Sequence, residues 1–177
     1  MTLHSFRESL ASSHQAEDLE CWQEIYQKAF PTMLRAVCVR EDGEHQRAGI
    51  DRVIVLASGK TVLVDEKVRY IEYPGDLLLE FISNDATGAP GWIEKHLLAD
   101  YIAMAYYYTG QAFFLPVIQT QAAWKANREE WIRKYRLPPA MNRMGRDKRY
   151  GTHSCAVPEW ELFSAINECF RVSFQVT

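Results

Sequence analysis

Asp51, Asp65 and Lys67 are the residues of this sequence whose types and spacing point most directly to chemistry. Residues 50–56 and 61–70 are rich in β-branched side chains and are joined across Ala57-Ser58-Gly59-Lys60, which predicts an antiparallel hairpin. Alternation along the second stretch puts Leu63, Asp65, Lys67 and Arg69 on one face and Val62, Val64, Glu66 and Val68 on the other. The valines mark the core side, and Asp65 and Lys67 share the opposite side. With Asp51 beside them on the neighbouring strand, two carboxylates and an ammonium gather around one point. Oxygen ligands in that number suit Mg2+ or Mn2+, which keeps waters for a phosphate substrate. The lysine is then placed to orient an attacking water and to steady developing charge. The bland alternative makes the same residues the polar face of a half-exposed strand, with Asp51 capping its neighbour.

Gly49-Ile50-Asp51, a hairpin and Asp65-Glu66-Lys67, preceded by an acidic helix and followed by a helix and a strand, resemble the PD-(D/E)xK nuclease superfamily. The resemblance covers about residues 14–118. It implies an α/β, restriction-endonuclease-like αβββαβ core with a mixed β-sheet flanked by helices, here carrying a C-terminal helix and strand extension. It also implies Mg2+-dependent (or Mn2+-dependent) hydrolysis of DNA phosphodiesters, with Asp51 and Asp65 as metal ligands and Lys67 as the catalytic lysine. Many members add a Glu from the first helix, for which Glu20 and Glu24 both qualify. Ile50 stands where the pattern has Pro. The compact chain resembles stand-alone members carried by phages and other mobile elements.

Glu80, inside the apolar run Leu77-Leu78-Leu79-Glu80-Phe81, is expected as a third acidic metal ligand, as a partner for Lys67 or Arg69, or on a solvent-facing edge. Glu66, on the otherwise apolar face, is expected to be a salt-bridged structural residue. Tyr106-Tyr107-Tyr108, Trp124 and Trp131 offer base-stacking surface or, more simply, core. Lys95 opens a helix and either reaches a phosphate or is solvated. Two rivals compete with the enzyme: a nuclease-like fold that has lost catalysis and serves as a DNA- or protein-binding accessory module, and an unrelated α/β interaction protein.

The net charge of −3 argues at first against a nucleic-acid partner, but it is unevenly spread. Residues 125–149 hold nine cations against three carboxylates, a balance of +6, which leaves −9 elsewhere. Arg143, Arg146, Lys148 and Arg149 are the expected DNA-contacting residues, in a basic loop that otherwise reads as solvated surface. Cys21, Cys38, Cys155 and Cys169 have no metal-site spacing and read as buried free thiols. No apolar run reaches membrane-spanning or signal-peptide length, so a cytoplasmic protein with no membrane partner is expected, and a homodimer is compatible with the sequence. Walker, dinucleotide-binding and Gly-x-Ser-x-Gly patterns are absent.

With 177 residues, 47% of them hydrophobic, the chain is expected to form one domain with its nuclease-like core at about 14–118 and a basic, helical extension at about 119–177. The elements that must position the site are a first helix over about 14–30, ended by Pro31, a strand over 32–40, and a polar turn at 41–44. The two hairpin strands follow, then a strand over 76–83, a loop over 84–91, a helix over about 92–109 and an apolar strand over 112–118 that Pro116 demotes toward an edge. A helix over 120–135, the basic loop to about 149, a strand near 154–157, a helix over 159–169 and a closing strand over 171–176 complete the pattern.

Overall fold

The computed structural model describes residues 4–5, 21–144 and 148–176. In chain order the elements are β1 (His4–Ser5), α1 (Cys21–Ala29), β2 (Met33–Cys38), α2 (Gly43–Arg47), β3 (Arg52–Leu56), β4 (Thr61–Arg69), β5 (Asp76–Asn84) and β6 (Ala89–Pro90). There follow β7 (Tyr101–Tyr106), a 3-10 turn (Tyr107–Thr109), β8 (Gln111–Pro116), α3 (Val117–Tyr135), β9 (Ala140–Met144), β10 (Lys148–Pro158), α4 (Glu159–Ala165) and β11 (Phe170–Ser173). The protein is α/β, with mixed sheets flanked by helices. Among the described residues no helix is long and apolar enough to cross a membrane.

The chain forms two compact units, each built from separated stretches. One holds, among the described residues, 21–74, 97–119 and 166–176. Its sheet has the order β11-β8-β7-β4-β3-β2, antiparallel throughout except for β4 and β7, which run parallel with Asp65 opposite Ile102 and Lys67 opposite Met104. The hairpin β3–β4 turns at Gly59, whose φ of 80° is the left-handed region that favours glycine. α1 lays Trp22, Ile25 and Tyr26 against Ile54, Val64, Ala103 and Phe114, so the valine face of β4 is the core face. Trp22 and Tyr26, one turn apart, stack with ring centroids 5.5 Å apart. The helix expectation over 14–30 is met at 21–29; residues 14–20 lie outside the described residues.

The expected helix over 92–109 is not formed. Residues 92–100 make turns and bends, and Tyr101–Tyr106 is an interior strand, so the second helix of the expected αβββαβ order is missing from this position. The Ala-rich Tyr-Ile-Ala-Met-Ala-Tyr run suggests helix by propensity, but residues 102–106 are buried almost completely, as in a strand covered on both faces. Pro116 does not make β8 an edge. β8 lies between β7 and β11, and Pro116 is its last residue, where a missing N–H costs the ladder least. The polar turn at 41–44 runs into the short helix α2.

The other unit holds, among the described residues, 4–5, 75–96 and 120–165. Its sheet has the order β1-β9-β10-β5-β6. Phe81 on β5 stacks on Trp124 of α3, with centroids 5.6 Å apart, and Trp131 donates its indole N–H to Glu161 Oε1 of α4 at 2.8 Å. Gly91 packs directly on β5: a Cβ there would lie 2.1 Å from the Glu80 carbonyl oxygen. His153, buried on β10, lies between Arg136 Nη2, 2.8 Å from Nδ1, and Asp85 Oδ2, 3.2 Å from Nε2. Because a guanidinium only donates, Nδ1 accepts and Nε2–H points to Asp85. The expected basic loop before residue 149 is a β-hairpin instead. Cross-strand pairing of residues 140–144 with 148–152 organises it, which a count of charges does not detect.

Candidate active site

Asp51 sits just ahead of β3, and its backbone is pinned on both sides. Its N–H donates to the Val64 carbonyl at 2.9 Å, and its carbonyl accepts the Val39 N–H at 3.0 Å. Gly49, with a φ of 69°, makes the bend that leads into this position, and any Cβ there would meet Leu97 at 2.5 Å. The Asp51 carboxylate is then fixed by two donors: the Glu66 backbone N–H reaches Oδ2 at 2.7 Å, and Arg40 Nε reaches Oδ1 at 3.2 Å.

Asp65 and Lys67 lie on the face of β4 opposite the valines, as the alternation predicts. Lys67 Nζ donates to Asp65 Oδ1. The Asp65 side chain is almost fully buried, while that of Lys67 is 36% exposed, so the ammonium reaches solvent from an anchored base. Burial pushes the Asp65 carboxyl up to about 6; Lys67 opposes the rise, and the Asp51 carboxylate adds to it both as a charge and as a hydrogen-bonding neighbour. Asp51, Asp65 and Lys67 therefore form one interacting group.

On the opposite face, Glu66 is buried in a cage of donors. Arg52 Nε reaches Oε1 at 2.8 Å and Arg52 Nη2 reaches Oε2 at 3.3 Å; Arg40 Nη2 donates to Oε2 at 2.5 Å, and the Tyr26 hydroxyl donates to Oε1. Burial, reinforced by the Glu66 charge, holds the Tyr26 hydroxyl well above its ordinary range. The expected structural role of Glu66 is met, and Arg52 is one of its partners. Arg40 and Tyr26 were not legible as members. Tyr26 shares the apolar stripe of α1 with Trp22, and Arg40 follows β2 with nothing in its neighbours to single it out.

The remaining expected residues are distributed as follows. Glu24 pairs with Lys28 at 2.7 Å and accepts the Gln175 N–H at 3.1 Å, and Glu20 lies outside the described residues. Glu80 is on β5, in the other unit from Asp51 and Asp65. Among the described residues no three His, Cys, Asp or Glu side chains gather as a metal site, so the expected three-carboxylate set is not found. Arg143 and Arg149 are exposed and directly opposite each other across the β9–β10 ladder, a like-charge pair that costs stability unless an anion relieves it. Arg146 and the Lys148 side chain lie outside the described residues. Lys95, Lys125 and Arg128 line a cavity of about 340 Å³ with Gln121 and Trp124, in which Glu94 takes Arg128 Nε at 2.7 Å. Of the tyrosine run, Tyr106 is core and Tyr108 is exposed. Cys21 and Cys155 are buried thiols pushed up to about 11 by burial, whereas Cys38 is exposed, contrary to expectation, because it ends the edge strand β2.

Comparison with protein-family models, with curated proteins and with solved structures finds no match to this chain. The donor set itself fits a hard divalent cation. Mg2+ needs only one or two carboxylates and fills the rest of its shell with water and substrate oxygens. Two adjacent carboxylates, one of them raised by burial and by its neighbour, are relieved by such a charge.

Proposed function

We propose that this protein is a Mg2+-dependent DNA phosphodiester hydrolase of the PD-(D/E)xK type. The observation that carries the reading is the convergence of Asp51, just ahead of β3, with Asp65 and Lys67 on β4 of the same hairpin, into a single interacting group. The connectivity supports it further: a helix, three antiparallel strands, then a strand added parallel to the third. The missing second helix counts as a departure from the pattern.

In this reading Asp51 and Asp65 would hold the metal ion, which when bound would supply Lewis-acid charge to the scissile phosphate. Asp51 is kept in place by the Glu66 amide on Oδ2, and Oδ1 becomes available as a ligand atom once Arg40 gives way. Asp65 orients Lys67 through their ion pair. The Lys67 ammonium donates a hydrogen bond to the attacking water or to the phosphate oxygen on which negative charge builds. Hydrolysis forms one P–O bond to water and breaks one ester P–O bond; of the water's two protons, one passes by way of solvent to the leaving alkoxide oxygen and the other is released to solvent. Arg143, Arg146, Lys148 and Arg149, with Lys95, Lys125 and Arg128, contact backbone phosphates.

A second reading, a nuclease-like accessory module without catalysis, is favoured by one observation: both Asp51 oxygens already have protein donors. A cleavage panel on plasmid and oligonucleotide DNA with Mg2+, Mn2+ or EDTA separates the two. The enzyme reading expects metal-dependent cutting that is lost in both Asp65→Ala and Lys67→Ala. DNA binding without cutting in any metal selects the accessory module, and equal cutting by wild type and variants refutes the assigned site.

A further inference from the structure

Arg40 bridges the two faces of the polar cluster. Its Nη2 donates to Glu66 Oε2 at 2.5 Å and its Nε to Asp51 Oδ1 at 3.2 Å. The side chain is only 10% exposed, and those of Asp51 and Glu66 are 17% and 0% exposed, so this is not a solvated surface pair. The two contacts differ in what would replace them. Glu66 also receives two donors from Arg52 and one from Tyr26, and stays neutralised if Arg40 shifts. Asp51 has Arg40 on Oδ1 and the Glu66 amide on Oδ2.

The two oxygens of Asp51 are therefore unequal. Oδ2 is tied to backbone and cannot change partner without disturbing β4. Oδ1 is tied to a side chain through the longer of the two Arg40 contacts, and it can exchange a guanidinium for another cation while the carboxylate stays in place. A guanidinium at this point also offsets the repulsion between Asp51 and Asp65 while no metal is bound.

We propose that Arg40 is a positioning residue that holds Asp51 as a substitute cation and sets the metal affinity of the site by competing for Oδ1. The inference rests on the metal-dependent reading above. Removing the guanidinium leaves the two carboxylates facing each other with less compensation, which destabilises the metal-free protein and strengthens the pull on a divalent cation. A guanidinium that served only the architecture would lower stability on removal without tightening metal binding.

The test is isothermal titration of Mg2+ and of Mn2+, without DNA, into the full-length wild type, Arg40→Met and Arg40→Gln, alongside thermal melts with and without the metal. The expected result is binding on the order of tenfold tighter in Arg40→Met, a lower melting temperature without metal and a larger rise on adding it. Arg40→Gln keeps a donor for Glu66 without the charge; it shows the same direction and stands in if Arg40→Met does not fold. Unchanged or weaker affinity in the folded variants, with wild type still binding, overturns the role of Arg40 alone. A wild type that takes up neither ion overturns the metal site itself, and the role of Arg40 with it.

Discussion

The backbone N–H of Glu66 donates to Asp51 Oδ2 at 2.7 Å while the Glu66 side chain is locked on the other face of β4 by Arg52, Arg40 and Tyr26. One residue thus fixes a carboxylate of the candidate site with its backbone and is itself fixed by the core with its side chain. Rigidity of the site is inherited from a buried ion cluster beneath it.

Breaking that cluster should cost more than a surface pair would. Glu66→Ala takes a shared carboxylate away from two largely buried guanidiniums, and a loss of about 3–5 kcal/mol is expected in urea denaturation without metal. Glu66→Gln, which keeps an acceptor, should lose less. A loss within 0.5 kcal/mol, roughly the surface range, would show that the cluster does not support the fold.

Asp65 gives the protein a defined pH dependence. Its folded-state pKa of about 6 lies above the ordinary 3.8, so ionisation opposes folding. The penalty is absent below about pH 3, where both states are protonated, grows as pH rises through 3.8 toward 6, and levels off above about pH 7. Relative to wild type, Asp65→Asn without metal should therefore gain stability between pH 4 and 6, by up to about 3 kcal/mol. Denaturation curves of both proteins across that range measure it, and a gap that stays flat with pH contradicts the assignment.

Arg143 and Arg149, paired across a ladder with like charges, should act together on DNA. Neutralising both is expected to weaken binding to any DNA sequence and to reduce the slope of log affinity against log salt by about 2, roughly one for each phosphate that the protein no longer neutralises. Adding Arg146→Gln and Lys148→Gln should flatten it further. An unchanged slope returns the hairpin to ordinary solvated surface.

Two glycines should respond very differently to alanine. At Gly91 the added Cβ meets backbone atoms of Glu80 and Phe81, which no rotamer change can move, so a loss of more than about 3 kcal/mol is expected. At Gly59 nothing lies within 4 Å, and only the left-handed φ is strained, at a cost of roughly 1–2 kcal/mol. Thermal melts of both variants check the ordering.

Much of the site was legible because a half-buried hairpin writes itself as a period of two. The β-branched residues of β3 and β4 locate the strands, the valines orient them, and Asp65, Lys67 and Glu66 then follow by parity. What was not legible depends on long-range partners. Tyr101–Tyr106 is a strand because it lies between β4 and β8, and its alanines carry no local sign of that. Arg40 gains its meaning from Glu66, 26 residues further along the chain. The Arg143–Arg149 pairing needs a register that a run of charges does not encode.

The interleaving of the two units has a consequence for heredity. Because each unit is gathered from separated stretches of the chain, no single breakpoint in the coding sequence divides one from the other. A stop codon after Gln119 would delete most of one unit and also strip β11 from its place beside β8 in the other. Recombination at one junction cannot pass on the Asp51–Asp65–Lys67 sheet intact without the excursion inserted between β4 and β7. The site and the basic hairpin are therefore bound to be inherited together.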